Sequence, residues 1–203
     1  MCAASEEIMA ESATKEMIIE KANQLFQEKG YNQVTIQDIC DACEITKTTF
    51  YYHMKSKDDL IINNYDIITE NLTQLMVSLI AADNYWEQLW MCFEVLIRES
   101  VRYGQDLYSQ LFIVNLKDDR GSFDMREDLT RIAISVIRKG QEAGQIRNPN
   151  PAEQLYEASA YLFTGYEITW CIKKGNFDWM ENTRRSLEVM YDILPELRYD
   201  HNK

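Results

Sequence analysis

From Lys15 onward, apolar side chains recur at helical spacing through most of the chain. Ile18, Ala22, Leu25 and Phe26 fall at i, i+4, i+7 and i+8, which predicts a first helix closed by Gly30. Residues 1–13 are acidic and lack this period, so they read as a disordered leader. Thr35 with Asp38 forms a capping-box-like start. Ile36, Ile39, Cys40 and Cys43 then line one side of a short second helix. Glu44-Ile45 makes a turn, Thr46 caps a third helix over Lys47–His53, and Phe50 points to the core. Ser56 with Asp59 opens a long helix from about Lys57 to Ala81, striped by Leu60, Ile61, Tyr65, Ile68, Leu72, Leu75, Met76 and Leu79.

The second half continues in the same way. Trp86–Tyr103 is apolar over most of its circumference, as helices buried on several sides are. Shorter helices follow over Asp106–Leu116 and Arg126–Ala143, with a polar loop between them. Asn150 as N-cap, Pro151 at N1 and Glu153 at N3 predict a fresh start. The helix from Pro151 carries Leu155, Ala158, Leu162, Tyr166 and Trp170, and the last helix carries Leu187, Met190, Tyr191 and Leu194. Seven glycines and three prolines are sparse punctuation for an all-β fold, so the class is all-α.

Composition narrows the function. A net charge of -12 excludes a protein that coats nucleic acid indiscriminately, yet leaves room for a small local basic face, because screening confines each charge to a range of roughly 8 Å. No apolar run is long enough for a membrane span, and the acidic start is unlike a secretory signal, so a cytoplasmic protein is expected. Cys40-x-x-Cys43 has metal or redox spacing, but no second ligand pair accompanies it. Neither a glycine-rich phosphate loop nor a catalytic constellation is present, so no cofactor, metal or catalytic residue is assigned.

The basic face is the stretch from Thr46 to Lys57. It holds Lys47, Lys55 and Lys57 without an acid, together with three threonines, two tyrosines and one of the chain's two histidines. A DNA-reading helix is short and presents hydrogen-bonding side chains from its first turns. Lys47, Thr48 and Thr49 occupy those turns here. Tyr51, Tyr52 and His53 lie where flanking phosphates would pass, although Tyr51 packing in the core and His53 bonding to its own helix are equally open readings. Lys57 and Thr35, each in the first turn of a helix, are placed to share a phosphate with the helix amides.

Residues 15–60 resemble the N-terminal domain of TetR-family transcriptional regulators. The family pattern T-x-x-x-I-A-x-x-A-G-V-S-x-G-x-L-Y-x-H-F-x-x-K-x-x-L is met in register by Thr35, Ile39, Cys40, Cys43, Glu44, Ile45, Thr46, Thr48, Phe50, Tyr51, His53, Met54, Lys57 and Leu60. Cysteine replaces alanine twice, threonine replaces a glycine, and Glu44 stands at the turn glycine. The resemblance implies DNA contacts for Thr35, Gln37, Thr46, Lys47, Thr48, Thr49, Tyr51, Tyr52, His53 and Lys57. It divides the chain into a helix-turn-helix domain over residues 1–56 and a helical effector-binding and dimerisation domain over 57–203.

By the same resemblance the protein is a repressor, released from a palindromic double-stranded operator by a small molecule, and a homodimer through its last two long helices. Candidate pocket walls are Trp86, Trp90, Phe93, Tyr103, Tyr108, Phe112, Tyr166 and Trp170, with Glu94, Arg98 and Glu167 as charges inside apolar stretches. The plain alternative is that these aromatics are core. The rival to the whole reading is a helical-bundle enzyme or small-molecule carrier whose N-terminal part is an interaction module.

Overall fold

The computed structural model describes residues 3–63, 65–66, 82 and 84–199, with side chains from residue 11 onward. Its helices are α1 (Ala3–Lys29), α2 (Ile36–Cys43), α3 (Lys47–His53), α4 (residues 57–63), α5 (Tyr85–Tyr103), α6 (Gln105–Lys117), α7 (Glu127–Glu142), α8 (Ala152–Ile172) and α9 (Trp179–Met190). Among the described residues the sole extended pairing is an isolated bridge between Ile146 and Ile193. Two compact units result: Met1–Ile67 with Asp106–Ser122, and Ile68–Gln105 with Phe123–Lys203. The stripe expected over Ile68, Leu72, Leu75, Met76 and Leu79 lies outside the described residues.

In the first unit, α1 buries Ile18, Ile19, Ala22 and Phe26, while Leu25 is half-buried. The expected disordered leader is instead helical from Ala3. Alanine, glutamate and methionine are strong helix formers, and extending an existing helix needs no apolar stripe. Thr35 and Asp38 form a full capping box: the Asp38 amide donates to Thr35 Oγ1 at 3.2 Å and the Thr35 amide to Asp38 Oδ2 at 2.7 Å. Thr46 accepts from the Thr49 amide at 3.1 Å and starts α3. Ser56 accepts from the Asp59 amide at 3.1 Å and starts α4. Ile39, Cys40, Cys43 and Phe50 close the core beneath this turn.

In the second unit α5 packs on α7 and α9, α7 on α8, and α8 on α9. The buried face of α8 is Leu155, Ser159, Phe163, Glu167 and Trp170, rotated from the expected stripe: Ala158 is exposed, and Leu162 and Tyr166 are half-buried. Helix α9 buries Trp179, Thr183, Leu187 and Glu188 and ends at Met190. Leu194 therefore lies beyond the helix, because Asp192 turns left-handed (φ 46°) and sends Ile193 to its bridge with Ile146. Asn150 does not cap α8; its side chain donates to Asn148 Oδ1 at 2.9 Å, and Pro151 takes the cap position.

The turn between α2 and α3 puts Glu44 in the left-handed region, φ 54° and ψ 39°, where its Cβ crowds the following carbonyl. Glycine avoids that crowding but loses more freedom on folding. Glu44→Gly is expected to raise the unfolding free energy by about 0.5–1 kcal/mol, seen as a higher midpoint in thermal unfolding by circular dichroism. Glu44→Ala, which keeps the Cβ, should show no such gain.

Candidate functional site

Helix α3 presents a polar surface because its single buried residue is Phe50. Lys47 and Thr48 are exposed in its first turn and Thr49 is half-buried, its hydroxyl 2.9 Å from that of Thr46. Tyr51 and Tyr52 are 53% and 71% exposed, which removes Tyr51 from the core. His53 is half-buried, with its ring 5.0 Å from that of Tyr52. Thr35 and Gln37 are exposed on α2, where Gln37 Nε2 donates to Asp41 Oδ1 at 2.7 Å. The Thr35 bonds hold the Asp38 carboxyl below its ordinary range, so an anion sits at the α2 N-terminus itself.

Lys57 is differently placed from the expectation that its charge is free for phosphate. Its ammonium donates to the Tyr31 and Val34 carbonyls, 2.9 Å each, and lies 4.0 Å above the Tyr31 ring. Burial lowers its pKa. Tyr31 in turn donates its hydroxyl to Asp58. A lysine has three donors, so one remains for an outside partner. Arg120, in the loop after α6, donates to buried Asp59 at 2.7 Å. The sequence carried no signal for these ties, since periodicity does not report side chains that bond across long separations.

Cys40 and Cys43 are buried, and burial pushes both thiols up, away from the reactive thiolate. Among the described residues no cluster of three His, Cys, Asp or Glu side chains could hold a metal ion.

The pocket candidates separate. Tyr108, buried, and Phe112, half-buried, belong to the first unit, where Tyr108 stacks edge-on with Tyr65. Trp86, Trp90 and Phe93 are buried core residues of the second unit, and Tyr103 and Tyr166 are half-buried there. Glu94 pairs with Arg98 at 2.5 Å, and the Tyr166 hydroxyl lies 2.6 Å from that of Ser186. Trp170 alone of the aromatic candidates lines a cleft of about 650 Å³ in the second unit, with Ile97, Val101, Phe177, Trp179 and Met180 and with the charged Arg98, Glu99, Arg102 and Asp178, so Arg98 is the one charged candidate that reaches it.

Glu167 is 3% exposed, and burial pushes its pKa from the ordinary 4.5 to about 8. Between those two values the folded chain holds a proton that the unfolded chain has released. Stability therefore falls as pH rises through that window and levels off above it. Urea unfolding between about pH 5 and pH 8 should show wild type losing on the order of 1 kcal/mol per pH unit from this group. Glu167→Gln, which has nothing to titrate, should flatten that dependence.

Residues 18–63 match the family described as bacterial regulatory proteins, tetR family. YuxN, an HTH-type transcriptional regulator of Bacillus subtilis (strain 168), is 41% identical over 49 residues, 24% of this chain and 17% of YuxN. The chain thus spans less than two thirds of that relative's length. IcaR of Staphylococcus aureus (strain Newman), the HTH-type negative transcriptional regulator of the biofilm operon icaADBC, is 32% identical over 135 residues, 66% of this chain and 72% of IcaR. Among solved structures, Thermus thermophilus FadR, a TetR-family transcriptional repressor crystallised with lauroyl-CoA, superposes with TM-score 0.68 at 21% identity, covering 93% of this chain and 98% of FadR. The fold is that of Thermus FadR, and with IcaR 32% identical and covered over 72% of its length, the chain belongs to the TetR family of bacterial regulatory proteins.

Proposed function

We propose that this protein is a homodimeric transcriptional repressor, with residues 1–56 as its DNA-reading domain and 57–203 as its effector-binding and dimerisation domain. The observation that carries it is α3: short, capped by Thr46, with exposed Lys47, Thr48, Tyr51 and Tyr52 and no acid between Thr46 and Lys57. Lys47 and the threonines reach base edges and phosphates, while the tyrosines and Lys55 meet the flanking backbone. The acidic remainder of the chain repels phosphate and confines contact to this tip. The regulator reading is favoured over a helical-bundle enzyme or carrier because these polar groups have no structural work in the core. We infer a cytoplasmic location from the regulator reading itself, since a repressor must reach its operator; no described helix is long and apolar enough to cross a membrane.

The dimer is proposed through α8 and α9. The rotation of α8 leaves Ala158, Tyr161, Gly165, Ile168 and Ile172 exposed on one side, and α9 exposes Val189; Tyr161, Ile172 and Val189 are each about 70% exposed. Small and apolar residues alternating on two adjacent helices suit a four-helix interface with a second copy. Two α3 tips then meet half-sites about 34–36 Å apart, or a multiple of that. An effector that binds the body differently in the two states shifts operator affinity, typically by 1–3 kcal/mol. The lauroyl-CoA of Thermus FadR shows a ligand held by this fold; the ligand here is unidentified.

Binding to upstream DNA, titrated over a range of salt, tests the tip. Lys47→Ala should weaken operator binding and flatten the salt slope by about one unit. Lys57→Ala should differ, because its ammonium holds two carbonyls: the thermal midpoint of the protein should fall as well. If Lys47→Ala leaves both affinity and salt slope unchanged, α3 is not the reading helix.

Light scattering tests the interface. Ile172→Asp with Val189→Asp buries carboxylates in the proposed contact, and should convert the dimer to monomer and lower operator affinity by well over tenfold.

A further inference from the structure

Cys40 and Cys43 stand three residues apart on α2, where the TetR-family pattern has alanine twice, and the proposed reading of DNA uses neither thiol. Three residues of α-helix rise about 4.5 Å and come round to within about 60° of the start, which sets the two Cα atoms about 5 Å apart. That lies inside the roughly 4.4–6.8 Å over which two cysteines can be joined through sulfur. Both side chains belong to the one buried face of α2, Cys40 at 0% exposure and Cys43 at 7%.

The pair can be reached from one end. Cys43 is the last residue of α2, and Glu44 after it is held left-handed at φ 54°. A helix end beside a strained turn opens more cheaply than a helix interior, so Cys43 is met first and Cys40 second. The same turn is where α3 departs: the Ile45 amide donates to the Cys40 carbonyl at 3.0 Å and the Glu44 amide to the Asp41 carbonyl at 3.3 Å. Displacing Cys40 therefore displaces the turn that carries α3.

Two thiols are too few for zinc, which takes four ligands, and among the described residues no group of three His, Cys, Asp or Glu side chains could hold a metal ion. Burial pushes both thiols up and keeps them protonated, which disfavours oxidants that need a thiolate. Two adjacent protonated sulfurs in an apolar core suit a neutral, soft electrophile that bonds twice to sulfur and brings its own base. A trivalent organoarsenical R–As=O is of that class. It forms two As–S bonds while the two S–H bonds break, and its oxygen leaves as water with both protons. Arsenic stays trivalent and no electron is transferred. The second As–S bond is intramolecular, so the chelate outlasts the adduct of a single thiol.

We propose that Cys40 and Cys43 form a dithiol site for trivalent arsenicals, and that closing the S–As–S bridge displaces the turn between α2 and α3 and releases DNA. The capture stands on the two cysteines alone; the release rests on the regulator reading.

The test uses the full chain and phenylarsine oxide. A large excess of glutathione strips an arsenical held by one thiol and leaves one held by two, which ethanedithiol then removes. Wild type should keep one arsenical per chain through the glutathione step, seen by intact mass, and lose it to ethanedithiol, with peptide mapping placing it on residues 40–43. Its operator affinity should fall about tenfold or more when loaded and recover with ethanedithiol. Cys40→Ala and Cys43→Ala each restore a residue of the family pattern. Each should keep its fold by circular dichroism, bind operator as wild type does, and hold no arsenical against glutathione. Loss of the wild-type adduct to glutathione, its mapping to any other cysteine, or its retention by either variant overturns the site. Retention with unchanged operator affinity overturns the coupling to DNA. Capture through these cysteines by a chain that binds no DNA keeps the site and removes the regulator reading.

Discussion

The proposed DNA-reading tip depends on where Lys57 puts its charge. The ammonium reaches back from the first turn of α4 to the Tyr31 and Val34 carbonyls, which lie in the connector between α1 and α2. Hydrogen bonds from a charged donor are worth about 1.5–3 kcal/mol each. The Tyr31 ring under the same ammonium and the Tyr31–Asp58 bond close the loop. One side chain thus fastens the end of the helix-turn-helix to its beginning, across a sequence separation that no local pattern spans. With both ends fastened, α3 is held by Phe50 alone on its inner side and can present its other side chains outward.

The second unit solves a different problem. Helix α8 buries one face against α9 and α7 and, in the proposed dimer, offers another to a second copy. It does so by placing Ser159, Phe163, Glu167 and Trp170 inward and Ala158, Tyr161, Ile168 and Ile172 outward. An apolar stripe read from one sequence favours the mean of the two faces, which is why the expected stripe fell between them. The cost is a carboxyl in an aromatic interior. Nothing about helix packing requires an acid at that position, and a Leu or Met there would be cheaper.

Much of the head was legible beforehand, for physical reasons that act over a few residues. Thr35, Thr46 and Ser56 cap the helices they were expected to cap, because a hydroxyl reaching an amide three residues on is a local event. Phe50, Ile39, Cys40 and Cys43 are buried as the period implied. The residues of α3 expected to contact DNA are exposed or half-buried. What was not legible entered with distance in sequence: the Lys57 and Arg120–Asp59 ties, the face that α8 buries, and the division of the aromatic candidates between two units.

The amino-acid order by itself determined most of the helices, the caps at Thr35, Thr46 and Ser56, a turn at Glu44-Ile45 and the cationic, acid-free tip, since propensity, capping and charge are properties of neighbouring residues. Only the tertiary structure decided which side chains meet. That Trp179 meets Phe163 and Trp170, that Trp170 borders a cleft while Trp86 fills a core, and that Lys57 is a clamp are consequences of how helices far apart in the chain pack, and packing is set by the joint shape of many side chains.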